Sequence, residues 1–462
     1  MDINSHTKIL VVGLGYRSGL AAANFLAKRG CAVHISDSKN ADELRGTIER
    51  LDPRVVVHAG EQNPELLNVG FDIAVLSPGV PQRIPLIVEA KRRGIPVIAE
   101  IELAYRFMKG RIAAITGTDG KSTTTALVGH ILNDLGITAL VGGNIGIPLI
   151  SLVEQTRDDT VSVVELSSFQ LETVDAFRPD AAAILNVTPD HLDRYDGIRK
   201  YFEAKLRIAK NQTDDDFFIY NMDDATLAGG IDGVRAKKLS FSLADNGADI
   251  FYKDGFVYRN GGSRAEMVLD ASTMRILGLH NVQNAMTSIL MVTSILTKMG
   301  RAVQYERIAA ACCSFQGLEH RMERLGEIDG RAVINDSKAT TVGAVEMALR
   351  SIAGKCVLIL GGRTKGDDYS RLRRSMTGKV KGLVLIGEST DEFSRIFGDC
   401  THTRAGSMDD ALVKAMSLSA PGDTVILSPA CASFDMFKSF EERGEVFRES
   451  FLKMRRGDLP WT

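Results

Sequence analysis

The segment Ile115-Thr-Gly-Thr-Asp-Gly-Lys-Ser-Thr-Thr124 sets two glycines, a lysine and several hydroxyls where a short apolar run gives way to a helical pattern. Those residue types at that spacing make a phosphate cradle. Gly117 and Gly120 let backbone N–H groups close on phosphate oxygens, Lys121 carries a mobile positive charge, and the Ser122 hydroxyl suits a magnesium ion. Thr118, Asp119 and Thr123 complete the loop, and the helix start adds a partial positive charge of its own. The full phosphate-loop pattern has a further glycine upstream, so this loop is a short version. Glu165 closes a second apolar run and His191 follows a third, which makes both candidate magnesium ligands beside a triphosphate. Lys205 shares a helical face with Ile198, Phe202 and Ala209. It is either a snorkelling lysine or a buried neutral amine able to take up carbon dioxide as a carbamate.

The elements that must hold these groups are legible in the same pattern. Arg111–Ile115 reads as a buried strand, and Leu127, Val128, Ile131, Leu132 and Leu135 recur at helical spacing until Gly136. Further strands are expected at Val161–Glu165 and Ala181–Thr188, with polar residues at their ends. Upstream, Lys8–Val12 leads into Gly13-Leu-Gly15-Tyr-Arg-Ser-Gly19, a glycine turn one residue longer than the dinucleotide fingerprint, and a second strand ends at Asp37. A third run ends at Ser77-Pro78-Gly79. Downstream, strands are expected at 332–334, 356–360, 382–386 and 424–427. They border His320-Arg321, Asn335–Thr340, Leu360–Asp368 and Leu427–Phe434, segments suited to a small anionic ligand or to a solvated surface. Asn281 and Asn284 place amides at a helix start, for a base, a phosphate or a cap. Alternation of strands and helices throughout predicts mostly parallel sheets.

At 462 residues the chain exceeds one hydrophobic core, and three domains are expected. Hydrophobic residues at 44% and charged residues at 25% are ordinary globular values, and a net charge of −2 supplies no basic field for nucleic acid. The six cysteines have neither zinc spacing nor a Cys-x-x-Cys pair. No leader or membrane-spanning run is recognised, so a cytoplasmic protein with no membrane or nucleic-acid partner is expected.

Taken together, Gly117–Thr123, Gly142-Gly-Asn-Ile-Gly146, Glu165-Leu-Ser-Ser-Phe-Gln170, Asn186 to His191, Asn335–Thr340 and Ser428-Pro-Ala-Cys-Ala-Ser433 resemble the Mur ligases of peptidoglycan precursor synthesis. The region from Ser428 to Phe440 is most similar to members that add D-glutamate to UDP-N-acetylmuramoyl-L-alanine. The likeness runs from Gly13 to Arg443. It implies a three-domain α/β protein: a Rossmann-like domain for the UDP substrate (1–100), a P-loop central ATPase domain (101–316) and a Rossmann-like domain for the amino acid (317–462). It also implies ATP, two Mg2+ ions, a carbamylated Lys205 and a monomer.

The resemblance further assigns roles by motif position. Gly117, Thr118, Asp119, Gly120, Lys121, Ser122, Thr123, Asn284, Arg321 and Asp336 would contact ATP. Ser122, Glu165, His191 and Lys205 would hold magnesium, and Lys121, His191, Lys205 and Arg321 would serve the chemistry. Tyr16, Arg17, Asp37 and Ser77 would meet the UDP end of the substrate, while Asn144 and His191 approach its muramoyl-alanine end. Lys338, Thr340, Lys365, Ser433, Phe434 and Phe440 would surround D-glutamate. Asp119 departs from the family's usual asparagine, as does the longer turn at Gly15–Gly19. The competing expectations are another ligase of the superfamily, such as folylpolyglutamate synthetase, a nicotinamide oxidoreductase built on the first glycine turn, and a nucleotide-binding regulatory protein. The phosphate loop with Glu165 and His191 argues against the last two.

Overall fold

The computed structural model describes residues 3–15, 17–190, 194–262, 264–276 and 278–461. Two compact units are present, one of residues 1–275 with 279–315 and the other of 276–278 with 316–462. The first unit contains two sheets. Its N-terminal sheet is wholly parallel, in the spatial order Val56–Ala59, Ala32–Asp37, Lys8–Val12, Ile73–Leu76, Val97–Ala99. Helices cover both faces of such a sheet, which is why Ile9 to Val12 form an unbroken buried run rather than an alternating one. The strand order turns back on itself around Lys8–Val12, so the glycine turn that follows lies at the switch point where open α/β sheets bind ligands.

The second sheet of this unit has nine strands, ordered Ala265–Asp270, Phe256–Asn260, Ile250–Lys253, Lys237–Ser242, Phe217–Asn221, Ala181–Ile184, Arg111–Thr116, Val161–Glu165, Ala139–Gly143. Pairing is parallel from Ala139–Gly143 as far as Ile250–Lys253, and the last two strands are added antiparallel. Asp254 and Gly255 both take positive φ, 48° and 91°, in the tight turn that opens this antiparallel edge. Helices Lys121–Asp134 and Leu279–Lys298 pack on one another against the sheet.

The two sheets of the first unit share one continuous core, because helices Ser18–Lys28, Glu100–Tyr105 and Leu149–Leu152 pack together between them. Phe25 and Phe107 meet edge to face at 5.2 Å there. Fully buried Glu102 fastens the joint. Its carboxylate accepts the backbone N–H groups of Asp175, Ala176 and Phe177 at 2.9–3.1 Å and the Arg106 Nε at 3.1 Å.

The second unit is built on one six-stranded sheet, in the order Glu323–Ile328, Arg331–Asn335, Thr424–Leu427, Cys356–Gly361, Val380–Ile386, His402–Ala405. Only Glu323–Ile328 runs antiparallel to its neighbour. A core lies on each face, and the long helix Phe440–Arg456 seals one of them with Phe447, Phe451 and Met454. All six cysteines are free thiols. Among the described residues no helix is long and apolar enough to cross a membrane.

Removing the Glu102 carboxylate strands three backbone donors at once and takes one of its carboxylate partners from Arg106, which keeps Asp175 at 3.2 Å. Glu102→Ala is expected to cost about 3 kcal/mol, read as a lowered urea midpoint, with Glu102→Gln intermediate; an unchanged midpoint for the alanine variant would contradict this.

Candidate active site

Strand register assembles the site. Ile115 pairs with Glu165, Thr116 with Ile184, and Gly143 with Glu165, so four neighbouring parallel strands end level with one another. Their next residues, Gly117, Leu166, Leu185 and Asn144, therefore emerge along one edge, as ligand sites in open α/β sheets require.

The phosphate loop stands on this edge and is held from behind. The Asn186 Oδ1 accepts the N–H groups of both Thr118 and Asp119, at 2.9 and 2.8 Å. The Thr118 hydroxyl accepts the Thr188 N–H at 3.1 Å. Gly117 and Gly120 have φ of +156° and +81°, and a Cβ on Gly120 would come within 2.6 Å of the Asn284 Oδ1. A side chain at Gly120 would have to displace Asn284, and one at Gly117 would press on Leu185, 3.0 Å away. Asn284 is buried, accepts the Thr124 hydroxyl at 3.0 Å and donates to Asn281 at 3.0 Å, so it buttresses the loop from the long helix. Helix Lys121–Asp134 begins immediately after Gly120, and its first-turn N–H groups, including those of Ser122 and Thr123, have no acceptor within the helix. The Lys121 amine folds back onto the carbonyls of Gly117 (2.9 Å) and Thr118 (2.6 Å).

Glu165 lies at the end of its strand, 2% exposed. One carboxylate oxygen accepts the Asn144 side-chain amide at 2.8 Å, while the other, also buried, has no hydrogen-bond partner. An unpartnered buried carboxylate oxygen beside a phosphate loop with a buried Ser122 hydroxyl fits a magnesium ion, which takes one or two protein oxygens and completes its shell with phosphate and water. Consistent with that sparse set, no three His, Cys, Asp or Glu side chains come together among the described residues as a ready-made metal cage. His191 and Tyr16, both expected at the site, lie outside the described residues.

Lys205, 1% exposed, donates its amine to the Gly117 carbonyl at 2.7 Å and stands 4.2 Å over the Tyr201 ring. It does not snorkel. Burial lowers its pKa to about 7; Lys121 pushes the same way, and Asp190 and Asp119 oppose it.

At the N-terminal switch point the expected UDP residues support the glycine turn itself. Asp37 accepts the N–H groups of Leu14 at 2.7 Å and Lys39 at 2.9 Å, and the Ser77 hydroxyl donates to the Gly13 carbonyl at 2.6 Å. Arg17 donates to the Gly146 carbonyl in the loop that carries Asn144.

In the second unit, Arg321 and Asp336 come together. Asp336 accepts the Met322 N–H at 3.1 Å and the Ser428 hydroxyl at 2.8 Å. Burial pushes its pKa up to about 7, against the pull of those hydrogen bonds and of the nearby Arg321 charge. His320 and Met322, either side of Arg321, hold φ of 59° and 46°, a strained backbone typical of functional turns. Lys338 lies 5.7 Å from the Phe440 ring centroid, and the Lys365 amine donates to the Thr340 hydroxyl at 3.2 Å. Ser433 is buried on the loop after Thr424–Leu427, whereas Phe434 stands 64% exposed. Beneath them Arg443, 2% exposed, ties the Ser337 hydroxyl (3.0 Å) and carbonyl (2.9 Å) to the Cys431 carbonyl (3.1 Å).

Three family models match in succession: the Mur ligase MurD-like N-terminal domain over residues 7–99, the Mur ligase middle domain over 115–292 and the Mur ligase glutamate ligase domain over 320–431. The chain belongs to the Mur ligase family. Relatives named UDP-N-acetylmuramoylalanine--D-glutamate ligase include one from Geotalea daltonii, 43% identical over 460 residues, with 98% of each chain covered. Another, from Geobacter metallireducens, is 42% identical over 99% of each chain. Solved Mur ligases share the fold at lower identity. The UDP-N-acetylmuramate-alanine ligase MurC of Thermotoga maritima aligns over 97% of this chain and 100% of its own (TM-score 0.58, 18% identity). The MurF ligase of the same organism, in complex with ADP, aligns over 98% of both (0.56, 15%).

Two supports in this Mur ligase escape sequence inspection. Asn186 opens the segment that leads to His191, but its hold on the loop amides follows only from the neighbouring strand ends. Arg443 reads as one of several charges on an amphipathic helix, and its burial has no local signal.

Lys205 yields a titration test. The unfolded chain releases this proton near 10.5, the native one near 7, so between those values the native state binds fewer protons. The burial penalty is fully present below pH 7 and fades as pH rises toward 10.5. In carbon-dioxide-free buffer, wild-type stability relative to Lys205→Met is expected to climb over that interval by on the order of a few kcal/mol, measured by urea denaturation. A pH-independent difference would mean that the native amine keeps its proton.

Proposed function

We propose that this Mur ligase joins D-glutamate to UDP-N-acetylmuramoyl-L-alanine with hydrolysis of ATP to ADP and phosphate, in the cytoplasm and as a monomer. The observation that carries this is the phosphate loop sharing one sheet edge with Asn144 and Glu165, in a chain similar over its full length to ligases of that name.

The alanyl carboxylate attacks the γ-phosphate to give an acyl phosphate and ADP, and the amine of D-glutamate then displaces phosphate to form the amide. The first step brings like charges together; two unit charges at 4 Å cost about 4 kcal/mol at an effective dielectric near 20. Lys121 and the start of helix Lys121–Asp134 offset that repulsion at the phosphates. Magnesium, held by Ser122 and Glu165 with His191 and Lys205 in the roles the resemblance gives them, would neutralise phosphate charge and orient the oxygens. Asn144 orients Glu165 and faces the muramoyl-alanine end. A neutral Lys205 amine can add to carbon dioxide, forming an N–C bond and releasing one proton, and the resulting carbamate presents anionic oxygens where an ammonium would repel the metal. Arg321, Asp336 and Asn284 serve the nucleotide. Lys338, Thr340, Lys365, Ser433, Phe434 and Phe440 serve D-glutamate, whose ammonium must lose a proton before attack; His191 is the base assigned to take it.

Phosphate release is expected only when ATP, magnesium, the UDP-sugar and D-glutamate are all present; release with L-alanine or meso-diaminopimelate but not with D-glutamate would sink the assignment. Lys121→Ala should lose at least a hundredfold in turnover while remaining folded. The pocket is separable from the phosphate loop, so Lys365→Ala should raise the Michaelis constant for D-glutamate about tenfold or more and leave that for ATP nearly unchanged. A larger change in the ATP constant would show the pocket to be misplaced.

A further inference from the structure

The loop from Gly143 to Leu149 carries Asn144 and is too tight to hold its shape by chance. Gly143 has φ +105°, and a Cβ there would lie 2.4 Å from the Glu165 carbonyl; a Cβ on Gly142 would lie 2.6 Å from the Ile147 carbonyl. On its site side the loop is pinned to Glu165, whose carbonyl accepts the Asn144 N–H at 2.9 Å and whose carboxylate accepts the Asn144 side chain. Its other two anchors come from the N-terminal domain. Arg17 donates to the Gly146 carbonyl, and one oxygen of Glu100 accepts the Ile150 N–H at 2.8 Å.

Glu100 is an unusual choice for such an anchor. It is 2% exposed, and its second oxygen is buried with no hydrogen-bond partner. Burial raises its pKa to about 7. A residue selected for packing alone at this helix start would be apolar, since burying a carboxyl with one hydrogen bond costs stability. What the carboxyl supplies, and an apolar residue cannot, is an acceptor for Ile150 at the base of the Asn144 loop.

We propose that Glu100 is a positioning residue: by holding Ile150, it fixes the Gly143–Leu149 loop so that Asn144 keeps Glu165 oriented toward the sheet edge that carries the phosphate loop. This rests on the ligase reading above. It makes the N-terminal domain part of the reacting end of the site, as well as the holder of the distant UDP group.

The test compares Glu100→Met, which keeps the volume and loses the acceptor, with Glu100→Gln, which keeps a carbonyl acceptor, both in the full-length protein. By hydrogen–deuterium exchange mass spectrometry, Glu100→Met should speed exchange across residues 143–152 about tenfold, with no change across 121–134. It should also raise the Michaelis constant for UDP-N-acetylmuramoyl-L-alanine about tenfold, with that for D-glutamate within about twofold. Glu100→Gln should restore both to within about twofold of wild type. The proposal is overturned if the methionine variant exchanges like wild type, if exchange quickens while the UDP-sugar constant stays put, or if the two variants are equally impaired. It is also overturned if only the methionine variant fails to fold, since the bond would then be structural. A wild-type protein that releases no phosphate with these substrates would defeat the ligase reading, and exchange at 143–152 would still decide whether Glu100 holds the loop.

Discussion

One carbonyl, that of Gly117, receives the amines of both Lys121 and Lys205, at 2.9 and 2.7 Å. Burial is the larger reason that the Lys205 pKa falls to about 7, and the nearby Lys121 charge pushes the same way. Lys205, the buried one, holds its proton far less firmly than an exposed lysine does. That arrangement organises the centre of the molecule, with Lys121 as the cation of the phosphate loop and Lys205 buried against the same carbonyl. The carbonyl can be shared only because Gly117 takes a backbone conformation that side-chain-bearing residues rarely adopt, with Leu185 packed where a Cβ would sit. Asn186 then fixes the next two amides, and the register of four strands does the rest.

The second unit solves a related problem by different means. Arg443 keeps its charge inside the protein by gathering oxygens from two segments, although one of its nitrogens stays unpartnered and burial lowers its pKa to about 10. Asp336 goes the other way. Its raised pKa leaves it close to neutral protonation balance, held between the Ser428 hydroxyl and the Met322 amide. Both groups sit next to strained or sterically closed backbone, Met322 at positive φ in one case and Gly362 in the other. Rigid surroundings of this kind are what allow a buried charge to be kept in one geometry.

Much of this was legible in the sequence, and the failures have physical reasons. The strand and helix around the phosphate loop are observed at Arg111–Thr116 and Lys121–Asp134, because apolar periodicity and obligatory glycines agree there. Val161–Glu165 is likewise found where its apolar run ends. The antiparallel edge at 250–270 is hard to read from the sequence although Asp254-Gly255 is a strong turn signal, since its strands are half exposed and alternate weakly. The apolar face around Lys205 predicted its surroundings but could not reveal a partner 88 positions away. Asp37 and Ser77 were placed correctly at strand ends, yet the groups they bind belong to the glycine turn, a detail set by backbone geometry that no spacing rule encodes.

Glu100 and Glu165 show why burial must be read before function. In sequence Glu100 is an ordinary acid in the first turn of a helix, where the helix dipole favours it, and Glu165 is an acid at a strand end. Folded, each has one oxygen satisfied by an amide and one left buried without a partner. Their settings differ. Glu165 ends a strand on the edge that carries the phosphate loop, and in the function proposed above a bound metal would complete its coordination and remove the deficit. Glu100 lies buried on a helix that packs between the two sheets, and its one hydrogen bond goes to the Ile150 amide. The role proposed for Glu100 accounts for its cost: an apolar residue there would leave the Ile150 amide, at the base of the loop that carries Asn144, without this acceptor.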